Sequence, residues 1–221
     1  MTEISDKIRA IASAGLEQPL RKSGFQRHST HFARQFGESL QVINIQSSKW
    51  NTKGSGKFTL NVGAHFSKIA SLLYGKDPMP ANPKESHCII RARVGMLMPG
   101  RQDHWWTVTP ETNVEQTAGD VAAACAEHVL PWLNQFASIS GTNWKFERFI
   151  LQHTWAEAAA NLVLGDRAKA TQCVAEELRR IHSDPAYEHP ANAKWKEERL
   201  AQLRKWAADQ GIAVADQADA N

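Results

Sequence analysis

LQVINIQSSKWNTKGSGKFTLNVGAHF, running from Leu40 to Phe66, decides the fold. Two strand-like runs flank a short turn that carries Gly54 and Gly56. In the second run Phe58, Leu60, Val62, Ala64 and Phe66 share one face, and Thr59, Asn61, Gly63 and His65 share the other. That period of two is the mark of a half-buried antiparallel sheet. The turn also disposes of a tempting motif. Lys53-Gly54-Ser55-Gly56-Lys57 has the look of a phosphate cradle, but the glycines of a P-loop lead into a helix whose first amides hold the anion. These lead into a strand, so a hairpin turn is expected.

Outward from this hairpin, the patterning places strands at about 31–36, 40–47, 57–66, 87–96 and 104–109. Upstream, Ile4, Ile8, Ile11 and Leu20 sketch an amphipathic helix, with Thr2 as N-cap and Glu3 in the first turn. Pro19 is expected to kink or interrupt it and Gly24 to stop it. A short helix is expected from Ser67 to Tyr74, followed by an extended, exposed loop from Lys76 to Lys84 that carries Pro78, Pro80 and Pro83. Val121, Ala124, Cys125, His128, Val129, Trp132, Leu133 and Phe136 follow helical spacing, with Thr117 and Asp120 resembling a capping box and Pro131 kinking the helix. After Gly141 the chain reads as helical, with a hairpin of Phe146 to Leu164 and Asp166 to His182 across Gly165, a last helix over Asn192 to Gln210, and a frayed end from Ala213. Ala160, Gly165, Asp166 and Leu178 loosely echo a tetratricopeptide unit, but there is no second copy.

The expected architecture is α+β: an antiparallel sheet of four or five strands, the first and long helices packed on one face, and a C-terminal helical extension. The expected domains are residues 1–140 for the sheet and 141–221 for the extension.

A chain of 221 residues with 42% hydrophobic and 22% charged residues can bury a core and is not a disordered polymer. The net charge of +3 is uneven: residues 1–150 hold 17 Lys and Arg against 12 Asp and Glu, and residues 151–221 hold 9 against 11. The first part can therefore meet an anionic partner without requiring one. Cys88, Cys125 and Cys173 are too few and too far apart for a disulfide framework or a zinc ribbon. The acidic N-terminus is not that of a signal peptide, and no run nears the roughly 20 apolar residues of a membrane span. No cofactor or metal is expected, and a reducing cytoplasm is the expected compartment.

Several smaller patterns have a chemical and a plain reading. His28 and His31 have HxxH spacing, but no carboxylate or cysteine nearby completes a site, so solvated histidines are expected. Cys125 and His128 sit in the apolar stripe of the long helix and are read as core. His87 and Cys88 open a strand and point to opposite faces. Arg91 and Arg93 alternate with Ile90, Ala92 and Val94, which puts two guanidinium groups on one sheet face. They suit either an anion platform or a solvated face paired with carboxylates, and the second is favoured. Of Trp105 and Trp106, one is expected in the core and the other exposed or covered by a neighbouring element; Trp50, in the hairpin, is expected as a second exposed aromatic.

The helix ending in Gly24-Phe25, Phe32, the run Val42 to Ser47 with Gln46-Ser47, Phe58-Thr59-Leu60-Asn61-Val62-Gly63, Cys88-Ile89-Ile90-Arg91 and Trp105-Trp106 together resemble the bacterial family known as domain of unknown function 4304. The resemblance covers roughly residues 1–138 and leaves the C-terminal helices outside. It implies a bacterial cytoplasmic protein with a helix–sheet–helix core, and it carries no activity, cofactor or catalytic residue.

On the residues, the first reading is a non-catalytic protein-interaction module, adaptor or immunity-like, with a binding patch of Gln46, Trp50, Asn61, Arg91, Arg93 and Trp106 and a protein partner. The alternative is a nucleic-acid binder using Arg21, Lys22, Arg27, Arg34, Arg91 and Arg93, which requires these residues to share one face. An enzyme, a hydrolase using His65 or His104 near Cys88, ranks third because its carboxylates and histidines are too scattered to take roles.

Overall fold

A computed structural model describes residues 3–77, 79–80, 82–145, 154–187, 189 and 192–213. The chain divides into two units, Met1–Phe66 with Met79–Thr142, and Ser67–Pro78 with Asn143–Asn221.

The first unit begins with α1 (Glu3–Lys22), which buries Ile4, Ile8, Ile11, Leu16 and Leu20 along one stripe. Glu3 and Asp6 in its first turn and Arg21 and Lys22 in its last complement the helix dipole. Thr2, expected as its N-cap, lies outside the described residues. The helix runs through Pro19 instead of stopping there, because a proline so near the end removes a single backbone bond and Ser23 N–H closes the last turn on the Pro19 carbonyl at 3.2 Å. Gly24, at φ +83°, then ends it, with Phe25 N–H donating to the Leu20 carbonyl at 3.0 Å as in a Schellman turn.

Among the described residues six antiparallel strands follow: β1 (Gln26–His28), β2 (His31–Phe36), β3 (Ser39–Ser47), β4 (Gly56–His65), β5 (Ile90–Arg93) and β6 (Trp106–Val108). Their order is β1-β2-β3-β4-β5, with β6 paired to the beginning of β4. The sheet thus has one strand more than the upper expectation, because Gln26–His28, which lies outside the expected strands, folds onto β2 through a two-residue turn. β5 is shorter than expected, since Val94 opens the helical turn α3 (Val94–Leu97).

One face of the sheet carries Phe32, Ile43, Phe58, Leu60, Val62 and Ala64, all buried. It packs against α1 and α5 (Leu130–Asn134), and α4 (Val114–Ala124) packs on α1. Arg34 and Gln41, paired across β2 and β3 on this face, are buried and fasten it to α5: Gln41 Nε2 donates to the Leu133 carbonyl at 2.7 Å and Arg34 Nη2 to Asn134 Oδ1. α4 starts a turn earlier than the sequence suggests. Asn113 is the N-cap, accepting from Gln116 N–H at 3.0 Å, while Thr117 lies inside the helix and bonds back to the Asn113 carbonyl. Between α4 and α5 the backbone widens into a π-helical turn, Cys125–Val129, just ahead of Pro131. The wide turn makes room for the proline and shifts the apolar stripe, so Cys125 stays buried while His128 and Trp132 are half-buried, not core as read.

The second unit contains α2 (Ser67–Tyr74), α6 (Ala156–Val163), α7 (Arg167–Ser183) and α8 (Ala193–Asp209). Gly165, at φ +81°, and Asp166, which caps α7 through Lys169 N–H, form the expected hairpin joint between α6 and α7. The expected helical stretch 146–153 lies outside the described residues. Trp206 of α8 donates from Nε1 to the Leu72 carbonyl of α2 at 2.8 Å, and Arg199 lies 4.8 Å over the Trp155 ring. Among the described residues no helix is long and apolar enough to cross a membrane.

Candidate functional site

The face of the sheet away from the helices carries an apolar cover along one side. Ala33, Val42 and Cys88 form a small apolar cluster with Leu40 and Met79. Cys88 lies so close to Gly63 that a Cβ there would stand 2.6 Å from the Cys88 Cβ, which is why this position of β4 has no side chain. Lys76, Asp77, Pro80, Asn82 and Lys84 of the connecting loop are exposed as expected, but Met79 is half-buried against the apolar cluster and Pro83 is buried.

Beyond this cover the same face is polar. Register puts Asn44, Asn61 and Arg93 in one row across β3, β4 and β5, and Gln46 beside Thr59 in the next. Phe58 pairs with Trp106, so continuing that register by one residue brings Trp105 to the level of Thr59. The side chains join into a chain of hydrogen bonds. Asn61 Nδ2 donates to Gln46 Oε1, and Arg93 Nε donates to Asn61 Oδ1 at 3.3 Å. Arg93 Nη1 donates to Asp103 Oδ1 at 2.8 Å, and Trp105 Nε1 donates to Asp103 Oδ2 at 2.8 Å. The Arg93 guanidinium lies 5.1 Å from the centre of the Trp105 ring, a cation–π contact. Partial burial works against the ionised form of Asp103, but the two hydrogen bonds and the Arg93 charge outweigh it and hold the carboxyl below its usual range. Arg91, two residues along on the same face, meets Glu85 at 3.5 Å.

Gln46, Asn61 and Arg93 are therefore brought together, with Arg91 beside them. Trp50 is on the β3–β4 connection, 79% exposed, with Lys49 over its ring. Trp106 is not at the surface: it is 7% exposed and stacks on Phe58 within the helix-side core. The half-exposed indole is Trp105. The sequence reading left Asp103 and Trp105 out of the patch; the adjacent Trp pair was the available signal, but which of the two faced out depended on a register that the irregular run 98–105 hides.

The basic residues do not share a face. Arg34 is buried on the helix side, while Arg91 and Arg93 stand on the opposite side of the sheet. Arg27 and Arg21 both meet Glu17, at 2.9 and 3.6 Å. Histidine chemistry is likewise dispersed. His31 is 2% exposed, not solvated as read, because it sits inside the sheet with His28 stacked on it at 5.5 Å. Cys88 and Cys125 are buried, and burial pushes the Cys125 thiol up to about 12 and raises that of Cys88 as well, the reverse of what a nucleophile needs. The glycine turn offers no phosphate cradle, since the Gly54 and Ser55 amides donate to Thr52 Oγ1 at 3.3 and 3.1 Å. Among the described residues no three His, Cys, Asp or Glu side chains gather as metal ligands.

Fold and site together define an α+β domain with one face of its sheet packed by helices and part of the other open, polar and organised around an arginine–tryptophan pair. The chain belongs to the family described as Domain of unknown function (DUF4304), whose model matches residues 16–135. The match takes in the whole sheet and the patch and ends within the α5 region. No curated protein and no solved structure matches the chain.

Proposed function

We propose that the sheet unit is a non-catalytic protein-recognition module, adaptor or immunity-like, acting in the bacterial cytoplasm, and that its contact surface is the polar patch around Arg93 and Trp105. The observation that carries this reading is the locked state of that pair. Arg93 is held by Asn61 and Asp103 and lies on the Trp105 ring while remaining 32% exposed. Arginine and tryptophan dominate binding hot spots, and side chains already fixed in place lose little entropy when a partner covers them. Trp50, at the same end of the sheet by register, extends the apolar area available.

The test is capture of partners from native lysate on the tagged full chain, with and without nuclease, alongside the Trp105→Ala and Arg93→Ala variants. A protein partner that survives nuclease and is lost from both variants is the expected result. Capture that is unchanged in both variants, or that disappears on nuclease treatment, would overturn the reading.

A further inference from the structure

The patch already holds a carboxylate. Asp103 presents one oxygen to Arg93 Nη1 and the other to Trp105 Nε1, both at 2.8 Å. The two partners of the ion pair differ in location and exposure. Arg93 ends β5, pairs with Asn61 on the central strand, and is braced through Asn61 to Gln46. Asp103 comes from the irregular connection between α3 and β6, and its side chain is 54% exposed. Arg93 belongs to the sheet, whereas Asp103 and Trp105 both come from the connection that leads into β6, and the Asp103 carboxylate is the more exposed partner of the ion pair.

Charge limits what can replace it. Arg91 has Glu85 as its counterion, so with Asp103 withdrawn Arg93 is the guanidinium of the pair that has lost its carboxylate. A partner that covers Arg93 strips water from it, and a guanidinium buried without an acceptor is strongly destabilising. One carboxylate, planar and able to accept on both oxygens, matches this fork and the indole N–H beside it. A phosphate would bring close to two negative charges to a site with one to neutralise.

We infer that the partner of this surface presents an aspartate or glutamate side chain from an acidic segment, which takes the place of Asp103 on Arg93 and Trp105. The inference rests on the recognition reading above. Asp103 then acts as an internal surrogate: it keeps Arg93 and Trp105 in register while the surface is empty, and it competes with the partner.

The experiment follows the Trp105 indole N–H by proton–nitrogen NMR on the full chain, assigned with Trp105→Phe, during titration with a blocked Gly-Glu-Gly peptide. Blocked Gly-Gln-Gly and Gly-phosphoserine-Gly peptides are the controls. The glutamate peptide is expected to bind Asp103→Ala at least about tenfold more tightly than wild type, a difference of about 1.4 kcal/mol. It should not bind Arg93→Gln, whose other indole signals report whether the variant is folded. No shift in Asp103→Ala, an equal response to glutamine, or tighter binding of phosphoserine overturns the inference. It fails apart from the recognition reading. A partner lost with Trp105→Ala but captured equally by wild type and Asp103→Ala ends this inference alone. A peptide response with no Trp105-dependent partner ends the recognition reading alone.

Discussion

Gly15 in α1 meets Ala118 in α4 with no room for a side chain: a Cβ on Gly15 would lie 2.5 Å from the Ala118 carbonyl oxygen. The obstacle is backbone, so it cannot rotate aside and the two helices would have to part. Gly15→Ala should gain up to about 1 kcal/mol of helix propensity and lose about 3 to overpacking, a net loss of about 2 kcal/mol. Gly119, next to Ala118, has open space where its Cβ would be, so Gly119→Ala should stabilise by about 0.5–1 kcal/mol. Urea unfolding of both variants checks this, and equal midpoints would contradict the close helix contact.

Arg34 is an enclosed cation with no carboxylate partner among the described residues. Its guanidinium donates to Gln41 Oε1 at 2.9 Å, the Ser23 carbonyl at 2.7 Å and Asn134 Oδ1, and lies 4.5 and 4.3 Å from the Phe25 and Phe36 rings. Those contacts join the ends of α1 and α5 to β2 and β3. Arg34→Ala leaves several acceptors unsatisfied at once and should cost about 3 kcal/mol. Arg34→Lys should recover less than half of that, because an ammonium cannot reproduce the planar fork or the double ring contact. Thermal unfolding with Arg34→Lys close to wild type would show that charge alone suffices.

The elements easiest to read from sequence were those with a strict period. The alternation of Phe58 to Phe66 located β4 and assigned its faces, and the isoleucines of α1 located that helix. What escaped depended on contacts distant in sequence. β1 has only three residues, all exposed, so no apolar alternation marks it. The start of α4 was displaced because Thr117 and Asn113 are equally good caps on composition, and only the fold shows which one faces a free amide. His31 looked solvated because its neighbours are basic and polar, whereas its burial comes from the segment around Asn82 to Glu85, fifty residues on. Half of the patch was legible, since Gln46, Asn61 and Arg93 fall on one face by parity alone. Asp103 was not, because it reaches Arg93 from a segment with no period.

His31 gives the fold a defined acid sensitivity. Burial holds its imidazole below the ordinary histidine value of 6.5, with His28 and Lys84 adding to the depression and Asn82 and Glu85 opposing it; Asn44 is its partner on β3. Between the lowered folded value and 6.5 the unfolded chain binds more protons than the native one, so stability rises with pH across that window. The contribution is complete above 6.5 and is lost as pH falls toward the folded value. Urea midpoints measured from about pH 7.5 down to about pH 5 should decline in wild type and decline less in His31→Gln. Parallel profiles would place the titrating group elsewhere.

Trp105 and Trp106 are adjacent in sequence and opposite in role, and the same substitution should separate them. Trp106 is closed in by Phe58, stacked at 5.3 Å, and by His104, edge-on at 4.6 Å. Trp106→Ala empties a core site and should cost about 3–5 kcal/mol. Trp105 is half-exposed; it donates one hydrogen bond to Asp103 and lies against the Arg93 guanidinium. Trp105→Ala should cost about 1 kcal/mol in stability, since both interactions are modest in water. Guanidinium unfolding should therefore separate two neighbouring variants by at least about 2 kcal/mol. Comparable losses would mean that Trp105 serves the core as well. A small loss at Trp105 together with loss of a partner would mean that the indole is held at the surface for something outside the chain, because a large aromatic left half in water adds little to folding and much to an interface.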